Sequence, residues 1–160
     1  MMNRRASLRT LGLLAAAAAL PVRAQTLPAA ADTSELIYIT PIRSDGSESR
    51  CQAEVWFARD GLSLYVVTAH DAWRAEAVRK GLTSARIWVG DEGVWSRSDG
   101  KYRNLPMVEG AASLETDSLR HAAVLALMGK KYTREWPTWG PRFRDGLADG
   151  SRVMLRYQIA

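Results

Sequence analysis

The sequence contains few of the residues that build disulfide frameworks and metal sites. Its 160 residues include one cysteine, Cys51, and two histidines, His70 and His121. A single cysteine cannot form an internal disulfide, and one cysteine with two histidines cannot supply the ligands of a zinc finger or zinc ribbon. The two histidines are also far apart in the chain, so we predict no metal site.

Motifs for nucleophilic catalysis are missing as well. The sequence has no Gly-x-Ser-x-Gly elbow, and no other recognisable nucleophile site accompanies His70. Cys51 falls on the predicted core face of a strand, where a thiol behaves as a small apolar side chain. The sequence therefore does not predict a catalytic triad.

An excess of basic residues is confined to the N-terminus. The chain has 22 Lys and Arg residues against 17 Asp and Glu, a formal net charge of +5. Four of the basic residues are arginines in the first 24 positions, which contain no acidic residue. The rest of the chain is almost balanced, so we do not expect the folded domain to bind nucleic acid.

The first 24 residues are predicted to be an export signal. Arg4 and Arg5 precede an apolar run over 11–20, which is too short to span a bilayer because a spanning helix needs about 20 apolar residues. The paired arginines are similar to the bacterial twin-arginine signal, although an ordinary secretory signal could contain such a pair by chance. We expect cleavage after Ala24, recognition by the twin-arginine export machinery, a periplasmic or secreted product, and no stable membrane anchor. Small residues over 25–34 are interpreted as a linker.

Turn signals and alternating residues predict an antiparallel β domain over 35–160. Asp-Gly pairs at 45–46, 60–61 and 99–100 separate stretches rich in Val, Ile, Trp and Tyr, a pattern typical of β-hairpins. The predicted strands cover 36–42, 50–58, 62–68, 85–89, 93–97, 101–114 and 152–159.

Two helices are predicted between these strands. The first covers 70–80, and the second covers 117–128 with Asp117 as its N-cap and Gly129 as its stop. The second carries an apolar stripe at helical spacing, formed by Leu119, Ala122, Ala123, Ala126 and Leu127. The aromatic stretch 132–141 is predicted to be a loop. The fold class expected is α+β, a small β-barrel with two helical additions.

The junction between the third predicted strand and the first helix is a candidate phosphate-binding corner. Thr68 supplies a hydroxyl group at the strand end, and Arg74 adds a permanent cation whose fork geometry suits phosphate. His70 lies in the same turn, although a helix-entry turn explains it equally well. Trp73 is adjacent, and Trp56 shares one strand face with polar residues, as in a ligand wall.

The order of elements resembles a known family. The resemblance rests on short strings that recur in the same order over about 95 residues: Ile37-Tyr38-Ile39-Thr40-Pro41, Val55-Trp56-Phe57, Leu64-Tyr65-Val66-Val67-Thr68, Ala85-Arg86-Ile87-Trp88-Val89, Val108-Glu109-Gly110-Ala111 and Lys130-Lys131-Tyr132. Taken together, these strings are similar to the pyridoxamine 5'-phosphate oxidase-like split barrel, a family of flavin- and deazaflavin-binding proteins.

This resemblance implies a fold, a cofactor and a set of site residues. It implies a mainly antiparallel split β-barrel of six to seven strands, forming a homodimer that holds FMN. The cofactor-binding residues would be Thr68 and Arg74 at the phosphate, with Trp73 adjacent and Trp56 near the ring. His70 joins this set because it lies in the same turn. Many flavin-binding members have a Ser-Lys pair where this chain has Trp73-Arg74, and some branches bind haem or a deazaflavin instead.

Three functions follow as hypotheses. The first is an exported FMN-binding oxidoreductase acting on a small molecule, in which the cofactor carries the redox chemistry. The second is a non-catalytic periplasmic module of the same fold that binds haem or another small molecule. The third is a dimeric interaction protein whose cleft no longer binds a cofactor.

Overall fold

The computed structural model describes residues 26–159, so the predicted export signal lies outside the described residues. The described residues form seven strands, four α-helices and two short 3₁₀ turns. The strands are β1 (Ile37–Pro41), β2 (Ala53–Val55), β3 (Ala58–Asp60), β4 (Ser63–Ala69), β5 (Ser84–Val89), β6 (Met107–Glu115) and β7 (Arg152–Ile159). The helices are α1 (Ala30–Thr33), α2 (Trp73–Arg79), α3 (Ser118–Lys131) and α4 (Trp136–Asp149), and the 3₁₀ turns are Trp95–Arg97 and Lys101–Asn104.

All seven strands form one antiparallel sheet in the order β2-β1-β5-β6-β7-β4-β3. The edge strands β2 and β3 are consecutive in the chain, and only Trp56 and Phe57 join them. That link spans at most about 11 Å. A flat sheet of seven strands would hold its edges about 29 Å apart. The sheet must therefore curl until its edges meet, and the α+β split-barrel prediction is confirmed.

The single strand predicted over 50–58 is therefore wrong. The strand is interrupted at Trp56 and Phe57. Its first part, β2, pairs with β1 at one edge of the sheet, and its second part, β3, pairs with β4 at the other. The alternation of residues continues through the break, which is why the sequence pattern did not reveal it. The hairpin predicted at Asp60-Gly61 is confirmed, since Asp60 pairs with Ser63 and Gly61 adopts a positive φ of 59°.

Apolar clusters cover both faces of the sheet. The barrel core fills its concave side, where the inward-facing residues include Ile37, Ile39, Phe57, Leu64, Val66, Ile87, Val89, Leu155 and Tyr157. A second cluster, called here the helix-side cluster, packs α3 and α4 onto the convex side and contains Ala58, Tyr65, Val67, Val124, Met128, Tyr132, Phe143 and Met154. Successive residues of β4 thus alternate between the two layers, as strand geometry requires.

The segment predicted to be a linker contributes to the barrel core. Residues 30–33 form the short helix α1, and Leu27 and Ala31 are buried against the core. The backbone N–H groups of Glu35 and Leu36 both donate to Asp91 Oδ1 at 2.9 Å. These contacts attach the segment to the barrel wall.

The predicted N-cap of α3 is confirmed, but its predicted end is wrong. Asp117 Oδ1 accepts a hydrogen bond from Leu119 N at 2.9 Å, as an N-cap should. The helix continues past Gly129 to Lys131. A Cβ atom on Gly129 would lie 2.7 Å from the Trp136 indole, as would one on Gly140 at 2.8 Å. Both glycines are therefore explained by close packing around Trp136.

The aromatic loop predicted over 132–141 is also wrong, because α4 begins at Trp136. Pro137 lies in its first turn, where no backbone donor is needed. Burial of Phe143 in the helix-side cluster stabilises a segment whose composition indicated a loop. The structure thus has one long helix more than predicted, and residues 95–97 and 101–104 form 3₁₀ turns instead of strands. No helix within residues 26–159 has the length and apolar content needed to cross a membrane.

Candidate functional site

Thr68 and Arg74 meet where β4 leads into α2. Strand β4 ends at Ala69, a short turn follows, and Ala72 with extended backbone starts the helix. This turn brings the first helical residues back over the strand end. Arg74 Nη1 donates a hydrogen bond of 2.6 Å to Thr68 Oγ1, and Thr68 is buried. The two residues that the sequence placed at one strand-to-helix junction are therefore in direct contact.

The guanidinium of Arg74 retains capacity for a ligand. A guanidinium has five N–H donors, and the structure shows one hydrogen bond for Arg74, to the Thr68 hydroxyl. Among residues 26–159, no carboxylate forms an ion pair with it. The Thr68 hydroxyl accepts from Arg74, so its own proton is available to a second acceptor. An anion placed here would therefore meet two kinds of donor.

Two titratable side chains lie within the electrostatic reach of Arg74. Burial raises the pKa of the Cys51 thiol, and the positive charge of Arg74 opposes that rise. Tyr157 follows the same pattern, since burial raises its pKa and Arg74 lowers it. Sequence reasoning did not link Cys51 to this corner. The only available signal was that Cys51 occupies an inward-facing position of the predicted strand.

The depression beneath Arg74 is small. It leaves no room for even a water molecule, with a volume of about 0 Å³, and its walls include Pro41, Ala77, Thr83 and Tyr157. Ligand pockets usually measure about 300–1,000 Å³. The depression cannot enclose a cofactor ring, so a ligand held by Arg74 would extend over the outer surface. Trp73, the first residue of α2, is 45% exposed.

His70 lies in the turn between Thr68 and Arg74, but its hydrogen bonds are with Arg79. Arg79 Nη1 donates to the His70 carbonyl oxygen at 2.8 Å, and Arg79 Nη2 lies 3.0 Å from His70 Nδ1. Because a guanidinium can only donate, Nδ1 must accept in this arrangement. The ring proton of neutral His70 therefore resides on Nε2, which is left as a donor.

Trp56 lies apart from the other predicted residues. Its ring stacks on Tyr132 with centroids 4.5 Å apart and planes 10° from parallel. It packs against the helix-side cluster, on the convex side of the sheet. Thr68 alternates with Val67, which belongs to that cluster, and therefore faces the concave side. The structure brings Thr68 and Arg74 together and places Trp56 on the opposite face.

Lys131 is an unusual group that sequence reasoning missed. Its Nζ lies 3.3 Å from the centroid of the Phe57 ring and 3.5 Å from the Phe57 carbonyl oxygen. Burial lowers the pKa of this amine to about 8. Its position at the end of a helix, beside Lys130, resembled an ordinary basic helix terminus. Within the described part of the chain, no three His, Cys, Asp or Glu side chains are grouped closely enough to hold a metal ion.

Comparison with known proteins identifies the fold. No protein-family model matches the sequence, and no curated protein sequence matches it either. The haem-storage protein HutZ of Vibrio cholerae superposes with a TM-score of 0.56 at 17% identity, over 82% of this chain and 85% of that one. A candidate pyridoxamine 5'-phosphate oxidase of Listeria innocua gives 0.52 at 17% identity, over 82% and 88%. General Stress Protein 26 of Bacillus anthracis gives 0.53 at 16% identity, over 81% and 83%.

At these identities the likeness concerns the fold alone. The chain superposes over about four fifths of its length on solved proteins that include a candidate pyridoxamine 5'-phosphate oxidase, and its own strands form one curled antiparallel sheet. The chain therefore has the pyridoxamine 5'-phosphate oxidase-like split-barrel fold.

Proposed function

We propose that this chain binds FMN at the Thr68–Arg74 corner and serves as an oxidoreductase acting on a small molecule. The observation that carries the proposal is the Arg74 guanidinium, which is held by Thr68 and has no carboxylate partner among residues 26–159. A bound FMN would supply the hydride or electron transfer, while the protein binds and orients it.

The residues present suit the phosphate of such a cofactor. Arg74 has further N–H donors, and guanidinium groups bind phosphate oxygens in pairs. The hydrogen bond from Arg74 to Thr68 fixes the direction of the guanidinium before any ligand arrives. This preorganisation reduces the entropy lost on binding. A deazaflavin that carries a phosphate group would use the same donors.

The ring of the cofactor would lie outside the small depression. Trp73 precedes Arg74 in the chain and is 45% exposed, and aromatic faces stack favourably on flat rings. His70 Nε2 would donate a hydrogen bond, because its Nδ1 is occupied by Arg79. The proposed binding set is therefore Thr68, His70, Trp73 and Arg74.

A second candidate is a non-catalytic module that binds haem. The likeness to the haem-storage protein HutZ favours it at the level of the fold. The environment of His70 disfavours haem binding through this residue. An imidazole that ligates haem iron needs a free nitrogen lone pair, and the lone pair on His70 Nδ1 accepts a hydrogen bond from Arg79. Haem ligation by His70 would require that contact to break.

The cellular location of the protein is a further part of the proposal. We propose that residues 1–24 direct export by the twin-arginine route and that the mature protein is periplasmic or secreted. That route carries folded proteins, so a cofactor could be loaded before export. Mass spectrometry of the protein from the periplasmic fraction should give an N-terminus at Gln25, whereas an intact Met1 in the cytoplasm would exclude this part of the proposal.

The phosphate interaction can be tested by comparing FMN with riboflavin, which lacks the phosphate. Wild-type protein should bind FMN more tightly in titration calorimetry, and Arg74→Ala should weaken FMN binding by about 1.5–3 kcal/mol, the scale of a charge-assisted hydrogen bond. Riboflavin affinity should change little. Arg74→Lys should give an intermediate result, because lysine keeps the charge but loses the fork.

The matched control is Arg144→Ala, which removes an exposed arginine that pairs with its neighbour Asp145. Its affinity for FMN should equal that of the wild type. Equal binding of FMN by wild-type protein and Arg74→Ala would remove Arg74 from the site. If haem binds and FMN does not, the second candidate replaces the first.

A further inference from the structure

Another cavity, called here the Lys131 cavity, lies between α1, the β3–β4 turn and the end of α3. Its volume is about 440 Å³, which is within the range of about 300–1,000 Å³ that is usual for ligand pockets. Its charged lining residues are Asp32, Arg59, Asp60, Lys130 and Lys131. It shares no lining residue with the depression beneath Arg74, so it is a separate site.

The two acidic residues of the Lys131 cavity already have partners. Asp32 forms an ion pair with Arg59, and Asp60 forms one with Arg120. The two lysines of the cavity, in contrast, form no ion pair with a carboxylate among residues 26–159. A small ligand that carries a carboxylate group would therefore find amines whose charge no direct partner neutralises.

The amine of Lys131 packs against Phe57. Its Nζ lies 3.3 Å from the centroid of the ring and 3.5 Å from the carbonyl oxygen of that residue. These contacts do not replace the hydration that burial removes, so the neutral amine with its lone pair is favoured. The carboxylates of Asp91, Glu35 and Asp32 favour the protonated form, but burial outweighs them and lowers the pKa of Lys131 to about 8. A desolvated lysine of this kind is a nucleophile at neutral pH.

We propose that Lys131 forms an imine with a small aldehyde that carries a carboxylate group, and that Lys130 binds this carboxylate. The Nζ lone pair attacks the carbonyl carbon, and both Nζ protons leave with the carbonyl oxygen as water. One C=N bond thus replaces one C=O bond, so no oxidant or reductant is consumed. Leu127 precedes the two lysines by three and four positions on α3 and gives the cavity an apolar wall beside them.

This inference goes beyond the proposed cofactor site and does not rest on it. FMN binding at Arg74 could fail while Lys131 still reacts with an aldehyde, and Lys131 could prove inert while FMN still binds. The two proposals are therefore tested separately.

Reductive trapping measures the reaction at each lysine of the chain. The purified protein is incubated at about pH 7.5 with glyoxylate and sodium cyanoborohydride, which reduces an imine to a stable secondary amine. Peptide mass spectrometry then follows carboxymethylation of the four lysines, Lys80, Lys101, Lys130 and Lys131. Lys131 should react at least about tenfold faster than the exposed Lys80 and Lys101, because more of a desolvated amine is neutral at this pH. Its rate should level off above about pH 8.

Two tryptophan substitutions on α3 test whether the aldehyde enters through the cavity. Leu127→Trp places a larger side chain in the wall of the cavity and should slow the labelling of Lys131 about tenfold. The matched control is Leu119→Trp on the same helix, at an exposed leucine that does not line the cavity. Its labelling rate should equal that of the wild type. Circular dichroism checks that both variants keep the fold.

The role of Lys130 is tested by comparing glyoxylate with propanal, an aldehyde that has no carboxylate group. Lys130→Gln should slow the labelling of Lys131 by glyoxylate about two- to fivefold, the scale of a solvent-exposed ion pair. Labelling by propanal should not be slowed. Lys130→Arg keeps the charge and should retain the wild-type preference for glyoxylate.

Three results would overturn the proposal. The first is labelling of Lys131 that is no faster than that of Lys80 and Lys101. The second is equal labelling of Lys131 in Leu127→Trp and Leu119→Trp, because the aldehyde would then not use the cavity. The third is an equal effect of Lys130→Gln on glyoxylate and on propanal, which would remove the carboxylate from the recognised group.

Discussion

Replacing Tyr132 with phenylalanine tests the contact that closes the barrel. The Tyr132 hydroxyl accepts a hydrogen bond from Phe57 N at 2.9 Å and lies 2.8 Å from the Glu35 carbonyl oxygen, to which it donates. Phe57 belongs to the two-residue link between the edge strands and is completely buried. One hydroxyl group therefore connects α3, the strand break and the N-terminal segment.

The cost of removing the hydroxyl follows from these contacts. Phenylalanine keeps the ring that stacks on Trp56, so little packing is lost. The Phe57 N–H is left buried without a partner, which costs about 1–3 kcal/mol, and the bond to Glu35 contributes about 1 kcal/mol more. We expect Tyr132→Phe to lower the free energy of unfolding by about 2–4 kcal/mol.

Urea unfolding followed by tryptophan fluorescence and circular dichroism measures this loss. The slope of free energy against urea should stay constant, since the surface exposed on unfolding is unchanged. The control is Tyr102→Phe, whose hydroxyl donates to Gln52 Oε1 at 2.7 Å. Gln52 is only partly buried, so the expected loss is about 0.5–1.5 kcal/mol. A loss for Tyr132→Phe no greater than that of this control would refute the reasoning.

Two further predictions concern Lys131 and Gly90. Burial lowers the pKa of Lys131 to about 8, so between pH 8 and 10 the unfolded chain binds more protons than the folded one and stability should rise with pH. The rise should be about 1–2 kcal/mol after solvent screening of a half-buried amine, and denaturant titrations should show it disappear in Lys131→Met. Gly90 has a φ of 157°, and a Cβ atom there would lie 2.5 Å from Leu105 Cδ2. Gly90→Ala should therefore destabilise the fold by about 2–4 kcal/mol. Gly81→Ala, at a positive φ with open space around it, should cost only about 1–2 kcal/mol, and equal melting temperatures for the two variants would contradict the steric argument.

Above pH 10 the trend should reverse. Burial raises the pKa of both Tyr132 and Tyr157 above the ordinary value of 10. The unfolded tyrosines then lose protons that the folded ones retain, so stability falls as pH rises. A stability maximum near pH 10 follows from the two opposing slopes.

The candidate site could be partly predicted because its central contact is local. Thr68 and Arg74 are six residues apart, and a strand, a turn and a helix start are sufficient to bring them together. Trp56 differs, since its neighbours Tyr132 and Trp139 are distant in the chain. Its place among polar residues on one strand face indicated a ligand wall, whereas in the structure its ring packs against helices α3 and α4.

The sequence by itself determined the elements whose signals are local: the alternating strands, the Asp-Gly turn at 60–61, the Asp117 cap and the Thr68–Arg74 corner. These depend on backbone geometry and on side chains only a few positions apart. Tertiary structure alone decided where the strand over 50–58 breaks, because barrel closure requires its halves to join opposite edges. It also decided which face of α3 is covered. Helical spacing generates two apolar rows on that helix, and only contact with the sheet selects the one containing Val124 and Met128.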